Sequence, residues 1–259
     1  MVAEKSNAVA VTVVIAAYEA RATIGRAVAS LVAQSLTDWE AIVVADDGGD
    51  YAGHLAAEGL ADPRLRHVSS GGIASGCGRA RNAALPHARG AFLTRLDADD
   101  LFLPDRLARL VAVARTSGAA VDDVLVTDET SGAVLRRAFA RLPVAPTAGA
   151  AELALCHAPL APLVVRDRAP AWFEDVDIAE DVLYLFAVEE RIGPMTRVDA
   201  ALYDYRVRLG SMCHGDDGAA RAEASYADLD RRLAAEAFAA LDAGTSRRAR
   251  AVFAEKRAF

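Results

Sequence analysis

Three carboxylates stand directly behind an apolar run in "AFLTRLDADDLFLPDRL" (91–107): Asp97, Asp99 and Asp100. Like charges this close raise one another's pKa and cost stability unless a cation or a hydrogen-bond donor offsets them. A divalent metal ion is one such offset. Mg2+ or Mn2+ needs few protein carboxylates, because waters and substrate oxygens complete its shell. A solvated acidic turn, or a cap on the helix opened by Pro104, is the other reading of the same residues. Two further groups repeat the arrangement: Tyr18 and Glu19 follow "VTVVIAA" (11–17), and "DDGGD" (46–50) follows "WEAIVVA" (39–45).

The segments ahead of these groups must position them. "VTVVIAA", "WEAIVVA", "LRHVS" (65–69) and "AFLTRL" (91–96) read as strands, the first continuous and β-branched like a strand buried on both faces. "TIGRAVASLVAQ" (23–34) places Ile24, Ala27, Val28, Leu31 and Val32 at helical spacing, and helices are expected over 55–60, 78–88 and 104–116. Strict alternation implies an α/β fold, a Rossmann-like and mostly parallel sheet with helices on both faces. Ligands bind such sheets outside the carboxyl ends of the strands, so all three groups fall on one edge. Independent solvated loops have no reason to concentrate acids and an aromatic there.

The second half is less regular. A hairpin is expected over 123–139 with "TSG" at its turn, and Pro-rich connections over 140–170 are expected to wrap the surface near a site. A helix over 179–193, a strand over 201–208 and an Ala- and Arg-rich helical tail over 219–259, broken at Gly244, complete the chain, which has no internal repeat.

Composition narrows the function classes. A chain of 259 residues that is 53% hydrophobic can bury a core, and a net charge of −7 without a basic stripe argues against a nucleic-acid partner. Lys5 and Lys256 are the only lysines among many arginines, which reads as compositional bias rather than a site. Cys77, Cys156 and Cys213 are widely spaced without a CxxC, so idle or buried thiols are expected. The longest apolar stretch (8–18) is too short for a bilayer and no signal core precedes it. A cytoplasmic protein is expected, with peripheral attachment to the inner face of a membrane, and homodimerisation, both compatible with the sequence.

"VTVVIAAYEARATIGRAVASLVAQSLTDWEAIVVADDGGD" followed by "GRARNAALPHARGAFLTRLDADDLFLPDRL" resembles the nucleotide-binding half of a family 2 glycosyltransferase of GT-A fold, continuously over about residues 10 to 116. The resemblance implies three parts: a nucleotide-sugar-binding half (1–116), an acceptor-binding half of the same domain (117–218) and a C-terminal helical tail (219–259). It implies a nucleoside-diphosphate sugar as donor, and a hydroxyl-bearing glycan or small molecule as acceptor. Tyr18, with Glu19 beside it, would line the nucleobase pocket, and Asp46 or Asp47 would accept from the base. Arg81 would face base or diphosphate, and Asp97 would touch the ribose or help the metal. Asp99 would bind Mn2+ or Mg2+, while Asp100 caps or orients its neighbours. Inverting members carry an acidic pair at a helix start, and "IAEDVLYLF" makes Asp181 the general base with Glu180 second. "YDYRVRLGSMCHG" resembles a closing segment in which Arg206 and Ser211 reach the diphosphate and His214 adds a metal ligand. Trp172 and Phe173 read as an acceptor-sugar platform or as core.

The chain departs from the family at Ala16 and Ala17, where Pro is usual, and at Glu19, where Asn is usual. A retaining transferase and a non-catalytic nucleotide-sugar-binding protein are the alternatives. Nucleotidyltransferases are disfavoured because "AAYEARA" holds no Gly-rich phosphate loop.

Overall fold

A computed structural model describes residues 9–208 and 218–258. The chain order is β1 (Val11–Ala17), α1 (Ile24–Val32), β2 (Trp39–Ala45), α2 (Tyr51–Ala57), β3 (Leu65–Ser69), α3 (Cys77–Ala84), β4 (Phe92–Arg95), β5 (Leu101–Phe102) and α4 (Arg106–Ser117). Then come β6 (Ala119–Asp128), β7 (Val134–Arg137), β8 (Thr147–Ala148), α5 (Ala150–Ala154), β9 (Leu163–Val165), α6 (Glu180–Ile192), β10 (Met195–Val207), α7 (Gly218–Ala234) and α8 (Ala243–Ala258).

Among the described residues these strands form one sheet in the order β3-β2-β1-β4-β9-β6-β10-β5, with β7 paired to β6 and β8 to β10. The β1–β2, β2–β3, β1–β4 and β6–β10 ladders run parallel, whereas the short ladders of β5, β7, β8 and β9 are antiparallel. β1 lies centrally, and its Val11, Val13, Val14 and Ile15 are fully buried, as a β-branched run covered on both faces requires. In α1 the buried positions are Ile24, Gly25, Ala27, Val28 and Leu31, the inward stripe of an amphipathic helix.

Local differences from the sequence expectations have physical reasons. α2 begins at Tyr51 rather than at 55, because the Asp50 carboxylate accepts from the Gly53 N–H at 2.8 Å and caps the helix inside the acidic loop. The Pro-rich stretch does not simply wrap the surface: β9 is inserted between β4 and β6 with Leu163 and Val164 fully buried. The tail's two helices are separated at 235–242, and Gly244 lies inside the first turn of α8.

A buried ion pair fixes the centre. The Arg106 guanidinium donates to both Asp122 oxygens, at 3.0 and 2.9 Å, and to the Ala161 carbonyl at 2.6 Å. It thereby joins α4, β6 and the segment leading to β9, and the bidentate fork supplies geometric specificity.

Candidate active site

The exits of β1 and β2 are interlocked. The Asp46 N–H donates to the Ala17 carbonyl at 2.8 Å, which sets Asp46 beside Tyr18. Buried Asp46 accepts from the Ser75 hydroxyl and, at 3.2 Å, from the Gly76 N–H. Asp47 accepts from the N–H groups of Gly49 and Glu19 and from the Tyr51 hydroxyl, each at 2.8 Å. Burial raises the Asp47 pKa, but these hydrogen bonds together outweigh it and hold the carboxyl below its ordinary value. Glu19 has φ +49°, a left-handed turn stabilised by its bond to Asp47, and Tyr18 is 49% exposed at the mouth.

A network of two buried arginines lies beneath this edge. Arg81 of α3 donates from NH2 to Asp97 Oδ1 at 2.9 Å and from NH1 to Glu180 Oε2 at 2.5 Å. Arg95 of β4 donates to Asp97 Oδ2 and to the Leu160 carbonyl, and its NH2 lies 3.9 Å from Asp181 Oδ2. The Cys77 thiol is 4.0 Å from Glu180 Oε2, so the chain from Asp46 through Gly76 and Cys77 meets the acidic pair. Burial raises the Asp97 pKa, but Arg95 and Arg81 outweigh it and hold the carboxylate ionised well below its usual range. Glu180 is shifted the other way: burial pushes its carboxyl up and the arginines offset this only in part. Its Oε1 is buried without a hydrogen-bond partner among the described residues.

The other two acids of the cluster differ in role. Asp100 is fully withdrawn, accepting from the Tyr203 hydroxyl at 2.7 Å and the Arg206 N–H at 2.8 Å, so it ties the turn to β10. Asp99 is 35% exposed, with Arg208 NH2 3.8 Å from its Oδ2. Burial first, then the charge of Asp97, pushes the Asp99 carboxyl up. A cation at Asp99 would offset that repulsion, and the hard oxygen donors fit Mg2+ or Mn2+. Among the described residues no three His, Cys, Asp or Glu side chains gather to hold a metal ion by themselves, so substrate and water oxygens would have to complete its shell.

α3 also locks the approach to the acidic pair. Asn82 accepts from the Trp172 N–H and donates to the Trp172 carbonyl, both at 2.8 Å. Gly78 lets the backbone pass, since a Cβ there would lie 2.1 Å from the Phe173 carbonyl oxygen. Trp172 is a core residue rather than an exposed sugar platform: it is buried and stacks on Tyr184 with ring centroids 5.1 Å apart. Phe173 is partly buried edge-on against Phe238. Arg206 turns to Asp204 at 3.0 Å.

The structure therefore brings Asp46, Arg81, Asp97, Glu180 and Asp181 into one connected group, with Tyr18, Glu19 and Asp47 at its β1–β2 mouth and Asp99 at its exposed end. Ser211 and His214, expected at the diphosphate and the metal, lie outside the described residues. The sequence reading missed Arg95 and Tyr203. An arginine interrupting the apolar run "AFLTRL" was the available signal for Arg95, because a buried strand carries a guanidinium only where a carboxylate meets it.

Residues 12–144 match the family described as Glycosyl transferase family 2. The chain is 41% identical over 138 residues to the succinoglycan biosynthesis protein ExoO of Rhizobium meliloti (strain 1021), a match covering 51% of this chain and 39% of that protein. It is 30% identical over 103 residues to the UDP-Glc:alpha-D-GlcNAc-diphosphoundecaprenol beta-1,3-glucosyltransferase WfgD of Escherichia coli, covering 40% of each. The matched parts thus span about two-fifths of these relatives. Among solved structures, S. aureus TarS 1-349 in complex with UDP-GlcNAc superposes with a TM-score of 0.69 at 20% identity, over 94% of this chain and 71% of that one. The mannosyltransferase PcManGT from Pyrobaculum calidifontis in complex with GDP-Man and Mn2+ gives 0.63 at 19%, over 95% and 68%. At such identities the likeness shows a shared GT-A-type fold.

Proposed function

The chain belongs to glycosyl transferase family 2, and on that premise we propose that it moves a sugar from a nucleoside-diphosphate sugar to an acceptor hydroxyl with inversion. The supporting observation is the Arg81–Arg95 network, which ties the strand-end acids to the acidic pair opening α6. Tyr18, Glu19, Asp46 and Asp47 form the nucleobase end of the donor pocket. Asp97, whose oxygens each keep a lone pair beyond their bonds to arginine, faces ribose and diphosphate. Asp99 holds Mn2+ or Mg2+, whose chemistry when bound is to stabilise the negative charge that grows on the leaving diphosphate.

Asp181 takes the proton of the incoming hydroxyl as the new bond forms, and its partial exposure leaves it open to an acceptor. Glu180 stays in the wall on Arg81 and orients the first turn of α6. Residues 117–218 supply the acceptor half of the domain and 219–259 the tail. The names of the relatives support an acceptor from polysaccharide assembly, used at the inner face of a membrane. No helix among the described residues is long and apolar enough to cross a membrane.

A thermal-shift panel of UDP, GDP, dTDP and CDP, each with and without Mn2+, tests the donor site, since a ligand of the native state raises apparent stability. One nucleotide should shift the transition in a Mn2+-dependent way, and UDP is the first candidate from the neighbours' ligands. No shift with any of the four would remove the donor-site reading. Anomeric analysis of product separates inversion from retention.

A further inference from the structure

We propose that Tyr51 and His54 of α2 are positioning residues for the nucleotide: they hold the loop between β1 and α1 at Ala20 and Arg21, and so set Tyr18 and Glu19 where the nucleobase meets them. This rests on the reading of the β1–β2 mouth as the nucleobase end of the donor pocket, and it names the groups outside that pocket that keep it in shape.

The Tyr51 hydroxyl makes two bonds. It donates to Asp47 Oδ2 at 2.8 Å and accepts from the Ala20 N–H at 3.0 Å. The same Asp47 oxygen accepts from the Glu19 N–H at 2.8 Å, while Oδ1 takes the Gly49 N–H, also at 2.8 Å. Two consecutive backbone amides of the β1 exit thus end on one carboxylate and one phenol that are bonded to each other. One helical turn further along α2, His54 Nε2 donates to the Arg21 carbonyl at 2.8 Å. The Arg21 guanidinium lies over the Tyr51 ring, 5.9 Å from its centroid. Residues three apart share a helix face, so α2 presents both side chains to the loop together. The helix is itself fixed, by Leu55 in the core and by the Asp50 cap.

Packing does not hold this mouth from the outside. Between α2 and the edge strand β3, a cleft of about 290 Å3 bounded by Gly48, Gly49, Asp50, His67 and Ser69 leaves the acidic loop uncovered on that side. A Cβ at Gly48 would meet no atom within 4 Å. Downstream, the Ala20 carbonyl is tied to the start of α1 by the Thr23 and Ile24 N–H groups, at 3.0 and 2.9 Å. Upstream, Glu19 stands at φ +49°, a conformation that a non-glycine residue keeps only where its surroundings impose it. The amides of Glu19 and Ala20, held by Asp47 and Tyr51, therefore decide how Tyr18 and Glu19 sit.

Tyr51 is 2% exposed, so no ligand reaches it and its effect must pass through Ala20 and Asp47. Burial pushes its phenol up to about 12, and at neutral pH it keeps the proton that Asp47 accepts. Removing the hydroxyl leaves the buried Ala20 N–H without its acceptor and Asp47 one donor short. The loop then holds the shape a base requires only part of the time, and apparent nucleotide affinity falls by that fraction. A diphosphate held by Asp99 and its cation keeps its own interactions.

The test measures binding to the full chain with Mn2+ by calorimetry, using UDP, GDP, dTDP and CDP in turn and inorganic pyrophosphate as the base-free reference. Tyr51→Phe should weaken the nucleotide that wild type binds tightest by roughly tenfold and leave pyrophosphate unchanged. Donor KM should rise by the same factor with kcat unaltered. His54→Ala should shift nucleotide affinity in the same direction. Equal weakening of nucleotide and pyrophosphate, or a lowered melting temperature with unchanged nucleotide affinity, would reduce Tyr51 to a stabiliser of the fold and overturn the proposal. Hydrogen exchange on wild type needs no variant: the Ala20 amide should be protected before any nucleotide is added, and exchange at the rate of an open loop would overturn the brace. A wild type that binds none of the four nucleotides fails the donor reading itself, whereas wild-type binding matched by both variants fails this inference alone.

Discussion

The carboxylates of Asp97 and Glu180 rest on two nitrogens of one buried guanidinium, Arg81 NH2 at 2.9 Å and NH1 at 2.5 Å. Arg81→Met leaves both acids without that cation, and breaking a buried pair from one side costs about 3–5 kcal/mol. Urea unfolding should show a loss of that order, with transfer activity abolished. Arg81→Lys should recover part of the stability, since an ammonium restores the charge but cannot fork to two carboxylates. Full activity in Arg81→Met would disconnect the network from function.

Asp181→Asn should keep nucleotide affinity while transfer falls by roughly 10²–10⁴-fold, the range of a general base. Nucleotide titration and single-turnover assays check the two halves separately. Loss of nucleotide binding instead would place Asp181 in the donor pocket.

Asp99→Asn should abolish the Mn2+ dependence of nucleotide binding and the activity together, while leaving the transition temperature of the free protein unchanged or raised. The sign follows from the structure: burial and Asp97 push the Asp99 carboxyl up, so its charge opposes folding and a neutral amide relieves it. Wild-type Mn2+ response in this variant would end the metal assignment.

Gly78→Ala places a Cβ 2.1 Å from the Phe173 carbonyl oxygen, a backbone atom that can yield only by moving the segment pinned by Asn82. Overpacking of this kind costs about 1–3 kcal/mol. Because the same segment leads to Asp181, kcat should fall more than nucleotide affinity does. An unchanged melting temperature would show that the 172–174 backbone is not fixed against α3.

The acid side of the stability profile should carry the mark of Asp47. Its folded pKa lies below the unfolded carboxylate value, so its contribution is present above about pH 4 and is lost as pH falls through the folded value. Wild type should exceed Asp47→Asn in stability at pH 6, with the gap closing as acid protonates the carboxyl. Parallel profiles for the two proteins would show that the bonds from Gly49, Tyr51 and Glu19 do not favour the ionised form.

Much of the fold was legible in the sequence. The four β-branched or apolar runs of the first hundred residues became β1 to β4 with little shift, because a strand covered on both faces needs continuous apolar side chains and advertises them. The gathering of Asp46, Asp97 and Tyr18 on one edge followed from parallel order alone. Three-residue β9, by contrast, has no periodicity to read, and its insertion between β4 and β6 depends on neighbours distant in sequence.

The sequence by itself determined which acids stand at strand ends and that "ED" opens a helix, since those are properties of local pattern. Tertiary structure alone decided what each acid does with its charge. Asp97 is held ionised by Arg81 and Arg95, Asp100 is withdrawn onto Tyr203, and Asp99 stays partly exposed, though the three lie within four residues. Electrostatic environment is set by distance and burial through space, and a linear chain records neither until it folds.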